Sequence, residues 1–212
     1  MTYTNIEGKE KIPELMLKYE FALNILETQL NILIKEFAFL HGYNPVEHIK
    51  SRIKEETSAL KKLEQKGYTL TYYNIVKHIH DMIGIRIVCS FLSDIYDIVN
   101  LIKSSPQFKL KEEKDYIKYP KESGYISYHL LILVPICLNN TIEYVEAEIQ
   151  IRTMAMDFWA SLDHKIQYKF SKDLPKEISK QLYDFSLDIC QLDKKMNQLN
   201  QIVKLYEKNK NV

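Results

Sequence analysis

The chain has 212 residues, 46% of them hydrophobic, enough for one sizeable core with helical additions outside it. Basic and acidic side chains nearly cancel, leaving a formal net charge of +1, so capture of polyanions by bulk charge is not expected and affinity for nucleotides or nucleic acid has to be local. Cys89, Cys137 and Cys190 are odd in number and share no metal-ligand spacing, the N-terminus lacks a charged-then-apolar signal pattern, and no apolar run approaches the ~20 residues that span a bilayer. A cytoplasmic protein without a membrane segment is expected.

From Ile12 the apolar residues Ile12, Met16, Tyr19, Leu23, Leu26, Leu30, Leu33, Phe37 and Leu40 step by four and three, which predicts a long amphipathic helix stopped at Gly42. Asn44, Pro45 and Glu47 read as an N-cap, a first-turn proline and a capping-box glutamate, opening a basic helix that ends near Gly67 and carries Arg52, Lys54, Lys61 and Lys62. A short helix around Tyr72 to Ile79 precedes a buried strand from Ile83 to Phe91, a helix from Ser93 to Ser104 capped by Ser93, and a strand near Phe108 to Lys114.

After a loop from Tyr119 to Gly124 come a strand from Ile126 to Val134, an Asn139-Asn140 turn and a strand ending at Arg152, the last two forming an antiparallel hairpin. Thr153 caps a helix to about Tyr168, with Phe158, Trp159, Leu162 and Ile166 as its core stripe. Beyond Pro175 a final helix repeats the four-three step through Ile178, Leu182, Phe185, Ile189, Leu192, Met196, Leu199, Val203 and Tyr206. Both terminal seams suit packing on the chain's own core or building an oligomer. The expected organisation is an N-terminal helix over 1–43, a central domain over 44–170 and a C-terminal oligomerisation helix over 171–212.

Three features point to chemistry. Between Val145 and Arg152 the residues alternate strictly, so Glu146, Glu148, Gln150 and Arg152 share one face of a half-buried strand, spaced ~7 Å apart at ~3.3 Å per residue. If the strand beginning at Ile83 lies beside this one, Asp81 at its mouth converges with Glu148 on a cation such as Mg²⁺, which takes a few carboxylates and completes its shell with phosphate oxygens. Alternation places Tyr125, Ser127 and His129 together after Gly124, where an aromatic face can stack on a base and Lys114 and Lys121 can meet phosphates. His80-Asp81 also spells the HD phosphohydrolase dipeptide, but here it runs into a strand, and His78 and His80 read as packing or surface residues. Finally, only three of 29 basic residues are arginine, Arg52, Arg86 and Arg152, which favours sites where a planar guanidinium is required.

Taken in order, Asp81 to Arg86, Lys114 to His129 and Glu148 to Thr153 resemble the RelA/SpoT-type synthetase domain, over about Asn44 to Lys169. The short chain is similar to its stand-alone members, the small alarmone synthetases or GTP pyrophosphokinases. The resemblance implies an α/β (α+β) fold with a nucleotidyltransferase-like mixed sheet flanked by helices. It implies transfer of the β,γ-pyrophosphate of ATP to the 3′-hydroxyl of GDP or GTP, with GMP as a further acceptor, releasing AMP. By position, Arg52, Lys54, Lys62 and Arg86 would serve ATP, with Arg52 and Arg86 sandwiching adenine. Asp81 and Glu148 would hold Mg²⁺, with Glu148 alternatively taking the hydroxyl proton. Tyr125 would stack on guanine, Lys114, Lys121 and His129 would steady acceptor phosphates, and Gln150, Arg152 and Asp157 would support the acceptor side.

Two positions depart from the family pattern: Gln65 replaces an ATP-side arginine, with Lys66 as a substitute, and Asp157 replaces an asparagine. A homotetramer is implied, with single-stranded RNA or alarmone as candidate regulators. The positions that hold alarmone in stimulated members are here Asn31, Ile34, His48 and Lys50, which lack the matching side chains. The alternatives are the same chemistry on another acceptor, a tRNA 3′ end or an adenosine nucleotide, and a catalytically weak nucleotide or RNA sensor.

Overall fold

The computed structural model describes residues 7–170 and 174–210. A single turn of 3₁₀ helix leads into α1 (Ile12–His41), whose buried face runs through Leu15, Tyr19, Ala22, Leu26, Leu30 and Ile34. This face drifts from the seven-residue seam expected from sequence because a straight helix turns every 3.6 residues, and it leaves Leu40 exposed. Gly42 ends α1 in the left-handed conformation at φ 65°, as its position predicts.

The following segment overturns the expected helix from Asn44. Asn44 Oδ1 accepts a hydrogen bond from the Val46 amide at 3.1 Å, a turn that feeds a strand, β1 (Val46–Ile53), and the helix starts only at α2 (Glu56–Gln65). The N-cap signature is real locally, but Val46, Ile49 and Ile53 can each reach the core only as a strand with a bulge after Val46, and β-branched residues favour that choice. Pro45 then stands at the strand mouth, where its missing N–H costs nothing. A short helix α3 (Tyr72–His78) leads to β2 (Ile83–Cys89), two residues shorter than expected.

Helix α4 (Leu92–Ser104) is capped from Phe91 rather than Ser93. The Asp94 carboxylate accepts the Phe91 amide at 3.0 Å and the Tyr43 hydroxyl at 2.8 Å, while the Ser93 amide donates to Asn197 Oδ1. Then come β3 (Lys109–Asp115), β4 (Tyr128–Leu138) and β5 (Thr141–Thr153), the last two joined by Asn139 and Asn140, both at positive φ as a tight hairpin of right-handed twist requires. Thr153 Oγ1 accepts from the Met156 amide and caps α5 (Met154–Lys169), and α6 (Lys176–Lys210) closes the fold.

The sheet order is β1-β2-β5-β4-β3, with only β2 and β5 parallel, so the sheet is mixed as expected. Ile83, Ile85, Ile87, Leu130, Ile132, Ala147, Ile149 and Ile151 pack into one core with α1 and α4, leaving the opposite face of the sheet polar. On α5 the buried residues are Met156, Trp159 and Ala160. Phe158 and Leu162, expected in the core stripe, are exposed because Trp159 turns its own side of the helix toward α6, where Nε1 donates to the Leu182 carbonyl at 2.9 Å.

On α6 the face that meets the domain runs through Leu182, Ser186, Ile189, Asp193 and Asn197, whereas Phe185, Leu192, Met196, Leu199, Val203 and Tyr206 of the expected seam are exposed. The boundary expected between residues 170 and 171 abuts positions 171–173, which lie outside the described residues. Among the described residues no helix is long and apolar enough to cross a membrane.

Candidate active site

Because side chains alternate along a strand, residues in register across a sheet share a face. One row of the polar face runs Lys50, Arg86, Gln150, His129 and Lys114 across all five strands, and the next sets Gly84 between Arg52 and Glu148. Thus the strand that replaced the expected helix is what brings Arg52 alongside Glu148's neighbour in the sheet. Gly84 contributes no side chain there, and the Arg52 side chain lies over it.

Glu148 Oε1 faces His129 Nδ1 at 3.0 Å, and Oε2 accepts from Gln150 Nε2 at 2.8 Å. Burial alone would push its carboxyl up, but His129 and Gln150 outweigh it and hold the group below the usual range, ionised. Asp81, in the turn before β2, accepts Lys54 Nζ at 2.5 Å and Lys62 Nζ at 2.8 Å on one oxygen. Burial is again opposed, here by two ammonium groups that bring the Asp81 carboxyl down to about 2. Its other oxygen is buried with no partner.

Both carboxylates border two clefts at once. One cleft, ≈ 260 Å³, is lined by Lys62, Lys66, Lys114, Lys121, Tyr116 and His129, and the other, ≈ 290 Å³, by Lys50, Arg52, Gly84, Arg86 and Gln150. A third, ≈ 440 Å³, extends from Arg52, Arg86, Tyr125 and Arg152 to His164, Lys165 and Gln167 of α5.

Arg152 is buried, so the strand face expected to be open ends in a hub. Its guanidinium donates to the Tyr125 hydroxyl at 2.6 Å, to Gln150 Oε1 at 2.7 Å and to Ser127 Oγ at 3.3 Å, and it pairs with Asp157 at 3.3 Å. Asp157 also meets Arg86 at 3.1 Å, linking the arginine expected on the ATP side to the acid expected on the acceptor side. The Tyr125 hydroxyl and His129 Nε2 are 2.8 Å apart, and the Lys121 ammonium stands 4.9 Å from the Tyr125 ring centre.

All thirteen residues singled out from sequence therefore lie on this polar face or its rim. Lys66, weighed as the substitute for a missing arginine, lines the lysine cleft and donates to the His78 carbonyl at 3.0 Å. His80 pairs with Glu146 and His78 stacks on Tyr68, and both also line the lysine cleft beside Asp81. Tyr116 was not anticipated. It sets its edge against Tyr125 and His129, and its only signal was an aromatic two residues beyond Lys114.

Among the described residues no three His, Cys, Asp or Glu side chains converge as a metal cage. Two carboxylates fit a hard cation that takes its remaining ligands from phosphate and water, and the unpartnered Asp81 oxygen is a free ligand atom for it.

The model for the region found in RelA/SpoT proteins matches residues 51–173. The chain is 49% identical to GTP pyrophosphokinase YwaC of Bacillus subtilis over 181 residues, 85% of this chain and 86% of that one. Among solved structures it is similar to small alarmone synthetase 2 of B. subtilis (TM-score 0.81, 45% identity, 90% of this chain and 98% of that one). It is also similar to small alarmone synthetase 1 of the same organism bound to its product pppGpp (TM-score 0.84, 30% identity, 92% of this chain and 100% of that one). With a match over more than half its length, a mixed sheet of the same architecture and both carboxylates in one cleft, the chain belongs to the RelA/SpoT family, on the branch of the small alarmone synthetases.

Proposed function

We infer that the chain is an alarmone synthetase: a 3′-oxygen of GDP or GTP attacks the β-phosphorus of ATP, the bond from that phosphorus to the α,β-bridging oxygen breaks, and AMP leaves. The observation that carries this reading is that Asp81 and Glu148 stand at the boundary between an arginine-lined and a lysine-lined cleft, where two nucleotides can meet end to end. Arg52 and Arg86 take the adenine side, with Lys54 and Lys62 on the ATP phosphates. Both lysines are parked on Asp81 here, so arriving phosphates offer them a new partner and release the aspartate.

Asp81 and Glu148 would hold Mg²⁺, which supplies charge neutralisation at the transferred group. Glu148 accepts the proton of the 3′-hydroxyl. A carboxylate held low in pKa is a weak base, yet phosphoryl transfer through a loose transition state asks mainly for alignment and charge neutralisation. Tyr125 stacks on guanine, Lys114, Lys121 and His129 hold the acceptor phosphates, and Gln150, Arg152 and Asp157 brace that side. The exposed apolar stripe of α6 supports self-association, with a tetramer as the state proposed. Ile34, at one position where stimulated relatives hold alarmone, is buried in the core.

The test is to incubate the protein with Mg²⁺ and γ-labelled ATP and with GMP, GDP or GTP in turn, and to separate the products. Label transferred to a guanosine nucleotide with equal release of AMP is expected. Label on tRNA or an adenosine nucleotide instead would move the acceptor, and no transfer with intact nucleotide binding would make the protein a sensor.

A further inference from the structure

Helix α6 is more than an exposed seam. Leu182, Ser186 and Asp193 are buried on the side next to that seam, and three hydrogen bonds anchor it: Trp159 Nε1 to the Leu182 carbonyl at 2.9 Å, Thr153 Oγ1 to Asp193 Oδ2 at 2.7 Å, and the Ser93 amide to Asn197 Oδ1 at 3.0 Å. The helix therefore cannot shift without disturbing the end of β5 and the start of α4.

This anchored stretch meets the turn that presents Tyr125. Gly124 has φ 83°, its amide donates to the Lys121 carbonyl at 2.8 Å, and the Lys121 amide donates to the Tyr125 carbonyl at 3.2 Å, closing a tight loop. A Cβ placed on Gly124 would come within 2.9 Å of Ser186 Cβ and 3.3 Å of Tyr183 Cα, so the loop backbone lies flat on α6. Ser186 directs its hydroxyl back to the Tyr183 carbonyl at 2.6 Å, which leaves its side chain as a spacer against the turn rather than a hydrogen-bond partner of it. Behind the ring, Trp159, Ala160 and Leu182 form a small separate core on which Tyr125 packs, together with Ile178 and Ile189.

We propose that α6 is a positioning element of the acceptor subsite, with Ser186 and the Tyr183 backbone setting the Gly124 turn and Leu182 backing the Tyr125 ring. The assignment of that subsite to the guanosine acceptor rests on the function proposed above. Since the exposed apolar stripe runs along the adjacent flank of the same helix, an event on that stripe is joined to the acceptor loop by one rigid helix.

Ser186→Leu adds bulk where the turn touches the helix while keeping a good helix former. The Michaelis constant for GDP should rise roughly fivefold or more, the loss expected when a stacking ring is displaced, with that for ATP within twofold. Ser186→Ala should shift it far less. Gly124→Ala should reproduce the defect, and adding Ser186→Gly should restore part of it by returning the space, the remainder being strain at positive φ. That pair decides the matter if Ser186→Leu does not fold.

Equal rises for both nucleotides, or no change, would overturn the proposal. Hydrogen exchange of residues 121–126, read by mass spectrometry without nucleotide, should quicken in Ser186→Leu, and unchanged exchange would also overturn it. Tyr125→Ala serves as the control. If it raises the GDP constant and Ser186→Leu does not, only the role of α6 fails; if the wild type uses no guanosine acceptor, the functional reading fails and the exchange measurement still decides.

Discussion

Replacing Glu148 with glutamine separates charge from shape. In the native site the carboxylate accepts from Gln150 Nε2 on one oxygen and faces His129 Nδ1 with the other. The amide keeps an oxygen for Gln150, whose own amide cannot turn because its oxygen accepts from Arg152. Its NH₂ then faces His129, which can take the tautomer that accepts at Nδ1 and donates from Nε2 to the Tyr125 hydroxyl. The network survives with one charge-assisted bond weakened, a cost of about 1 kcal/mol, or ~2–4 °C in melting temperature for a chain of this size.

Turnover should instead fall roughly 10²-fold or more, the range for lost acid–base help, measured as AMP release from ATP in the presence of GDP. Asp81→Asn should fall similarly, and the double variant should be little worse than either, because both carboxylates act at one centre. Near-normal transfer by Glu148→Gln would refute the mechanism. A melting temperature lowered by more than ~10 °C would show that the residue's weight is structural.

Tyr125→Ala should raise the Michaelis constant for the acceptor by roughly fivefold to a hundredfold, from ~1–3 kcal/mol of lost stacking, and leave that for ATP nearly unchanged, whereas Tyr125→Phe, which loses only the hydroxyl bonded to Arg152, should stay within a few-fold of wild type; steady-state kinetics with each nucleotide varied distinguishes them. Leu192→Glu with Leu199→Glu places charge on the exposed stripe of α6 and should lower the mass seen by light scattering without changing the far-ultraviolet circular dichroism, while a wild-type chain that is already monomeric at micromolar concentration would refute self-association. Asp81 is depressed to about 2 by Lys54 and Lys62, so its ion pairs stabilise the fold above the unfolded aspartate pKa near ~4 and are lost as pH falls through 2. Without nucleotide or metal, this contributes about 2 kcal/mol near neutrality, and chemical denaturation of wild type and Asp81→Asn should converge between those two pH values.

How much of this was legible depended on whether a residue's role is set by its neighbours in sequence or across the sheet. The hairpin, the Thr153 cap and the Gly42 stop are local devices, and each stands where its residues predict. The Asn44 signature is local too, yet a strand formed, because pairing with β2 and burial of Val46, Ile49 and Ile53 outweigh a cap worth about 1 kcal/mol. Asp81 and Glu148 could be singled out because strict alternation and a strand mouth announce them, and Lys66 because it follows a position where the pattern lacks an arginine, whereas Tyr116 reaches the cleft only through tertiary approach.

The scarcity of arginine singled out Arg52, Arg86 and Arg152, which the structure places on one polar face, but it did not show what the third contacts. A lysine at 152 would present one compact ammonium to Ser127, Tyr125, Gln150 and Asp157, which lie in different directions around a buried centre. The guanidinium reaches all four with donors held in one plane. Arg152 thereby connects the Tyr125 ring, proposed to meet the acceptor, the Gln150 that hydrogen-bonds Glu148, and the Asp157 that pairs with Arg86. The two sides proposed for the nucleotides are thus joined through a residue that lines neither cleft around the carboxylates. Sequence spacing can show that such an arginine is unusual, but only the register of β5 against β4 and the turn of α5 shows that it braces the site from behind.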